Sequence, residues 1–257
     1  MLFRSFVASR LFSGSAMTLL RATFAWQIYA LTGSAFHLGL MGLAQFVPTL
    51  TLSLLGGAVA DSFERRRVVM LAQGAALLGS ATLVAASSGD GPHLAVVYGV
   101  VVATAAASAF EGPSRAALLP TLVPRDLFVH AVTLHATVQQ LGWVTGPVLM
   151  GFAIDAAGVP AAYVLHVGLV LTSLALLAPV RALHSNARPR DVSLRAISEG
   201  IAFVRSRQAV LGAMTLDMFA VIFAGATALL PIYAEEILRV GPRGYGLLSS
   251  RSGRAHV

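Results

Sequence analysis

The sequence contains no cysteine and no lysine; all 18 of its basic residues are arginines. The missing cysteines exclude disulfides, thiol nucleophiles and cysteine-ligated metals. The missing lysine excludes the Gly-rich phosphate loop closed by Lys-Ser/Thr, so the chain carries no seat for ATP-driven work. His-Glu-x-x-His and Gly-x-Ser-x-Gly are absent too, and no metal set or paired acid site appears, so the sequence reads as a non-enzyme without a cofactor. Charge itself is scarce. Charged residues are 11% of the 257 and hydrophobic ones 56%, with a mean hydropathy of +0.77. A water-soluble domain of this size would lack the polar surface to stay dispersed, and a bilayer is the natural solvent. An isoelectric point near 11.0 raises nucleic-acid binding, but the arginines fall between apolar runs instead of forming one basic face, which argues against a nucleic-acid partner.

What is present is a series of long apolar runs. No Asp, Glu or Arg occurs from Ala22 to Ala60, and only the turn Thr32-Gly33-Ser34 interrupts that stretch. At about 1.5 Å of helix rise per residue, runs of about 20 residues cross a hydrocarbon layer of about 30 Å. Seven spans follow, at 11–32, 37–60, 68–88, 94–118, 128–154, 160–180 and 208–234. The first runs past signal-peptide length into the second and reads as retained. Arg4, Arg10, Arg65, Arg66, Arg67, Arg115, Arg125 and the arginines of 181–207 fall on one side of the alternation, and the turns 32–36, 87–93 and 156–160 carry none. Positive residues resist translocation, so the N-terminus is expected in the cytoplasm of a multi-pass protein of the cell (inner or plasma) membrane. Residues 181–207 form a linker in which Leu194, Ile197, Ile201 and Val204 recur at helical spacing, which predicts an amphipathic helix on the inner membrane surface; a solvated linker is the alternative.

Between the second and third spans stands Gly57-Ala-Val-Ala-Asp61-Ser-Phe-Glu-Arg65-Arg66-Arg67. It resembles the signature loop of the major facilitator superfamily, in which a Gly, an Asp four residues on and a basic pair follow at fixed spacing. Glu64 replaces the usual Gly before the basic pair, as an Asp does in the enterobactin-exporter-like branch. The resemblance implies a gating role, the loop holding the cytoplasmic side closed in the outward-open state. A helix stop with a topology signal is the plainer reading of the same residues. Gly142-Trp-Val-Thr-Gly146-Pro147-Val-Leu-Met-Gly151 in the fifth span resembles the superfamily's antiporter motif, associated with export; spacings of four and five glycine to glycine also suit tight helix packing alone. Trp26 to Gly33, Gly39 to Pro48 and Gly112 to Pro120 are similar to the first, second and fourth helices of enterobactin and drug exporters.

The resemblance implies an all-α integral membrane fold: a six-helix N-terminal bundle of 3+3 inverted repeats over 1–180, a cytoplasmic linker over 181–207, and a seventh transmembrane helix with a tail over 208–257 that opens an incomplete second domain. Complete members have twelve helices, with the substrate at the interface between halves. Gly241 to Ser250 resembles the entry of an eighth helix that Arg251 onward does not continue, which reads as a truncation or out-of-frame tail, with a C-terminal half as the missing partner. The expected function is secondary export of small drug- or siderophore-like molecules in exchange for protons. The alternative is a non-transporting interaction protein or half-transporter remnant that needs a partner subunit.

Charges inside spans persist where they have a partner, water or a task. Arg21 and Asp217 lie at mid-depth of the first and seventh spans, which line the cavity in the resembled fold. They are expected to pair across it or to meet substrate and proton; separate snorkelling is the alternative. Glu111 and Arg115 share a helical face and predict a local ion pair at the inner gate. Gln27, Gln45, Gln139, Gln140 and His135 are further candidates for a cavity wall, His135 also for proton coupling, although a packed neutral histidine satisfies the same pattern. Asp155 reads as a boundary residue. Trp26, Tyr29, Tyr98 and Tyr163 read as interface anchors or packing residues.

Overall fold

The computed structural model describes residues 2–87, 91–180, 205–208, 211–212, 215–216 and 229–252. These residues are predominantly helical, with no strand among them. The elements are α1 (Leu2–Thr32), α2 (Ala35–Ser62), α3 (Arg65–Ala86), α4 (Leu94–Leu122), a 3-10 turn (Arg125–Leu127), α5 (Phe128–Leu177), a short helical and π-helical stretch from Leu230 to Ile237, and α6 (Gly241–Ser252). The predicted amphipathic helix over 192–204, most of the seventh span and Asp217 lie outside the described residues.

Among the described residues, four helices are long and apolar enough to cross a membrane by length and composition: α2, over Ala35–Ser53, then α3, α4 and α5. α5 is hydrogen-bonded as one 50-residue element, yet Ala157 and Gly158 leave helical geometry, Gly158 at φ 76°. Pro160, two residues on, has no N–H to carry the ladder across the bend. The chain therefore doubles back at the predicted turn 156–160, leaving arms over 128–156 and 159–177. α1 begins at Leu2, nine residues before its predicted start. Its polar residues Ser9, Ser13, Ser15, Thr23 and Gln27 are buried, so they meet other helices, and Arg4 and Arg10 extend the helix beyond bilayer length without interrupting it. Gly33, at φ 60°, ends α1 by donating its N–H to the Tyr29 carbonyl at 2.7 Å, the left-handed cap that glycine adopts without strain.

α1 is the central helix, and its largest interface is with α5. Three apolar clusters surround it. One, at the end bearing Arg65–Arg67, gathers Phe6, Val69, Leu118, Leu122 and Leu177. A second gathers Phe24, Ile28, Leu83, Val97 and Tyr163. The third joins Leu19, Trp26, Leu38, Met150 and Tyr245, and so brings in α6. α2 is the inverse of α1: Phe36, Leu43, Phe46, Leu50 and Leu55 are exposed, the pattern of a helix facing lipid or a further helix.

Candidate functional site

Between the clusters, at the middle of the helices, a cleft of about 600 Å³, counting its open mouth, is walled by α1, α3, α4 and the second arm of α5, with Gln45 reaching in from α2. Most of its wall is apolar, from Met17, Leu20, Phe24 and Val170. Polar groups are few: Arg21, Gln45, Gln73, Glu111 and His166, with the hydroxyls of Ser13, Thr104 and Ser108. Those hydroxyls donate to carbonyls of their own helices, at 3.2, 2.8 and 2.8 Å. Ser80 Oγ and His166 Nδ1 share a hydrogen bond at 2.8 Å, both groups being buried.

Glu111 belongs to a chain of contacts that leads out of the cleft. Its Oε1 accepts from Gln73 Nε2 at 2.9 Å and from Arg115 Nη2 at 3.0 Å and Nε at 3.2 Å. Arg115 is 2% exposed, and its Nη1 reaches Ser9 Oγ at 3.5 Å, which in turn lies 3.0 Å from Ser173 Oγ. Four helices thus share one hydrogen-bonded network. Buried charge survives here because the carboxylate faces the guanidinium with amide and hydroxyl support. Sequence spacing exposes only the Glu111–Arg115 step. Gln73, Ser9, Ser173, Ser80 and His166 escape it, because single polar residues in apolar runs show no periodicity and their partners are distant in the chain.

At the Arg-rich end, the three arginines open α3 instead of lying in a loop. Cations at a helix N-terminus oppose the macrodipole, and Glu64, the N-cap, offsets this with ion pairs to Arg66 at 3.2 Å and Arg67 at 2.6 Å. Arg65 Nη1 donates to the Ala117 carbonyl of α4 at 3.0 Å, and Arg66 Nη1 to the Ala178 carbonyl just past α5 at 2.7 Å. The α2–α3 corner therefore clips the ends of two neighbouring helices. Asp61 lies in the last turn of α2, and its side chain is outside the described residues; Gly57, one turn earlier, has open space around it.

The glycine strip of α5 has two working faces. A Cβ on Gly142 would stand 3.0 Å from Ser15 N and 3.2 Å from Gly14 Cα; one on Gly146 would stand 2.7 Å from Leu19 N and overlap Thr18 Oγ1 and the Ser15 carbonyl. Across this contact Thr18 Oγ1 lies 3.0 Å from the Gly142 carbonyl, which shares its proton with the Gly14 carbonyl of α1 at the same distance, and Ser15 Oγ lies 2.6 Å from Thr145 Oγ1. Gly151 faces the other way, where a Cβ would meet the Pro242 carbonyl at 2.6 Å and Gly246 Cα at 3.3 Å. Pro147, whose carbonyl Gly246 approaches, is buried beside them. Arg243 of α6 pairs with Asp155 at 2.7 Å and lies 5.4 Å from the centre of the Phe152 ring, while Tyr245 stacks on Trp26 at 5.6 Å.

The remaining candidates lie apart from the cleft. Gln27 is buried and accepts a hydrogen bond from Tyr163 OH. His135 stacks on Phe6 at 5.8 Å, toward the Arg-rich end. Gln139 and Gln140 are half-buried on the first arm of α5 and do not line the cleft. Tyr29 OH donates to Glu236 in the π-helical turn, and Tyr98 OH to the His37 carbonyl at 2.9 Å.

A cleft with a few charged and amide side chains at mid-height among helices long and apolar enough to cross a bilayer marks a multi-pass membrane protein. Residues 1–256 match the transmembrane secretion effector family, and the chain belongs to that family of major-facilitator transporters, in the branch of the enterobactin exporters. It is 26% identical over 238 residues to the enterobactin exporter EntS of Shigella boydii serotype 18 (strain CDC 3083-94 / BS512), a match covering 91% of this chain and 56% of the relative. The EntS proteins of Escherichia coli O1:K1 / APEC and of Escherichia coli O139:H28 (strain E24377A / ETEC) match at the same identity and coverage. The chain thus spans about half the length of the curated relatives it matches.

Proposed function

We propose that this chain is the N-terminal portion of a secondary active exporter that moves small, partly apolar molecules, drug- or siderophore-like, outward across the cell membrane in exchange for protons. The observation that carries the reading is the mid-membrane cleft, in which Arg21, Gln45, Gln73, Glu111 and His166 gather inside an apolar bundle. Ionisable groups at such depth persist where they serve a path or a coupling step. In this account the two arms of α5 count as the fifth and sixth spans, giving a six-helix lobe of two inverted triplets that rocks against a second lobe. The positive-inside rule orients the Arg-rich end and the N-terminus toward the cytoplasm.

The parts divide as follows. The α2–α3 corner, with Gly57, Asp61, Arg65, Arg66 and Arg67, latches the cytoplasmic end. Arg65 and Arg66 fasten it to α4 and α5, and Asp61 engages the second lobe. The Gly142–Gly151 strip keeps α1 and α6 tight against α5, which closes leak paths through the lobe. Arg21 and Asp217 pair across the passage in one of its two states, and Glu111 with Arg115 sets the position of α4 beneath the cleft. Protons enter the cycle at this polar floor.

The test is efflux from an efflux-deficient bacterium carrying the chain alone or together with a C-terminal half taken from an EntS-like relative. Uncoupler-sensitive loss of a fluorescent drug probe in the paired cells supports the proposal. A stable complex between the two halves without any efflux overturns it and favours the second reading, a membrane interaction protein, to which the exposed apolar face of α2 also lends itself.

A further inference from the structure

Two charged side chains face the cleft, and they are not equivalent. One oxygen of the Glu111 carboxylate, Oε1, already accepts from Gln73 and from two nitrogens of Arg115. Arg21 is exposed toward the cleft and has no ion pair or hydrogen bond among the described residues. It stands about 16 Å along α1 from the Thr32 end, by helix rise, too deep for its side chain to reach the lipid headgroups with ease. Gln45 lines the same space with its side-chain amide free of any partner among the described residues. The cleft hydroxyls already donate to their own helices. The unspent donors of the cleft are therefore the Arg21 guanidinium and the Gln45 amide, while the buried Gln73 Oε1 is an acceptor left without a hydrogen-bond partner among the described residues. Beyond the wall, Arg10 and Arg115 lie near Glu111, so the described charges around the cleft sum to an excess of positive charge. In a low-dielectric surround such a field favours an anion. The rest of the wall, Met17, Leu20, Phe24 and Val170, is apolar.

We propose that the cleft binds amphipathic monoanions, with the ligand's carboxylate or phenolate on Arg21 and Gln45 and its hydrocarbon or aromatic body against Phe24 and its apolar neighbours. The proposal rests on the exporter reading for its place in transport. The binding itself is measurable without transport.

The experiment uses the whole chain in phosphatidylcholine nanodiscs and compares 2-naphthoate with 2-naphthamide by equilibrium dialysis, with empty nanodiscs subtracted. The two probes share one apolar body and differ in charge. A charge-assisted hydrogen bond is worth about tenfold or more in affinity, so naphthoate is expected to bind at least about tenfold more tightly than the amide. Arg21→Gln should erase that ratio, and Arg21→Lys should keep part of it. Gln45→Leu should lower naphthoate affinity by a smaller factor. Equal binding of the two probes, no binding of either, or a ratio that survives Arg21→Gln overturns the proposal, and the wild-type ratio decides it even if a variant does not fold. Failure of the exporter reading has a separate signature: the anion preference persists in nanodiscs while cells show no gradient-driven efflux.

Discussion

Replacing Gly146 with alanine is the sharpest probe of how this bundle is held. Lipid solvates apolar helices as well as they solvate one another, so association rests on close packing and interhelical hydrogen bonds. The alanine methyl would stand 2.7 Å from Leu19 N. Restoring an ordinary contact of 3.4 Å moves α1 outward by at least about 0.7 Å. The obstructing atoms include backbone, so no side-chain rotation relieves the clash. The displacement also stretches the Thr18 bond to the Gly142 carbonyl and the Ser15–Thr145 pair, now 3.0 and 2.6 Å. Overpacking of this kind costs about 1–3 kcal/mol. On the scale of about 2–4 °C per kcal/mol for chains of this size, the melting temperature should fall by several degrees. The assay is thermal unfolding in dodecyl maltoside followed by intrinsic fluorescence, since Trp143 adjoins Gly142 and Trp26 lies on α1. Gly142→Ala, whose methyl has 3.0 Å to its nearest neighbour, should lose less. Gly99→Ala is the control: nothing lies within 4 Å, and alanine is the better helix former, so its stability should stay level or rise. A Gly146→Ala melting temperature within a degree of the Gly99→Ala value would refute the reasoning.

Other perturbations follow from the same contacts. Glu111→Ala strands Arg115, 2% exposed, without its counter-ion and should cost about 3–5 kcal/mol, whereas Glu111→Gln, which keeps an acceptor, should lose less; denaturation in detergent separates the two. Tyr163→Phe removes the donor to the buried Gln27 oxygen and should cost about 1–3 kcal/mol in the same assay. Arg243→Ala breaks an ion pair whose side chains are 56% and 38% exposed, so its effect should stay below about 1 kcal/mol and shrink further in high salt.

The legible parts of the molecule were those written in local sequence. Apolar run length marks the helices up to residue 177, Gly33 the first turn, and Gly158 with Pro160 the reversal inside α5. Glu111 and Arg115, one helical turn apart, announced their pairing. The start of α1 was less legible, because Arg4, Arg10 and Ser9 look like a polar flank until other helices supply their burial. The walls of the cleft were harder still. Gln73 meets Glu111 across 38 positions, Ser80 meets His166 across 86 and Ser9 meets Ser173 across 164, and contacts at such separations leave no periodic trace. Gln27 and His135, chosen for polarity alone, have found partners in Tyr163 and Phe6 outside the cleft. Polarity within a span announces a contact without naming it.

The central claim is that lipid surrounds these helices, with the arginine-clipped corner on the cytoplasmic side. The absence of cysteine gives a clean background for single-cysteine labelling with a membrane-impermeant maleimide. Arg67, 75% exposed at the corner, Ala35 in the opposite turn and Phe46, 60% exposed at mid-α2, sample the three environments. The account predicts that Ala35→Cys labels in intact cells, Arg67→Cys only after permeabilisation, and Phe46→Cys in neither. Labelling of Arg67→Cys from outside intact cells, or ready labelling of Phe46→Cys, would contradict it.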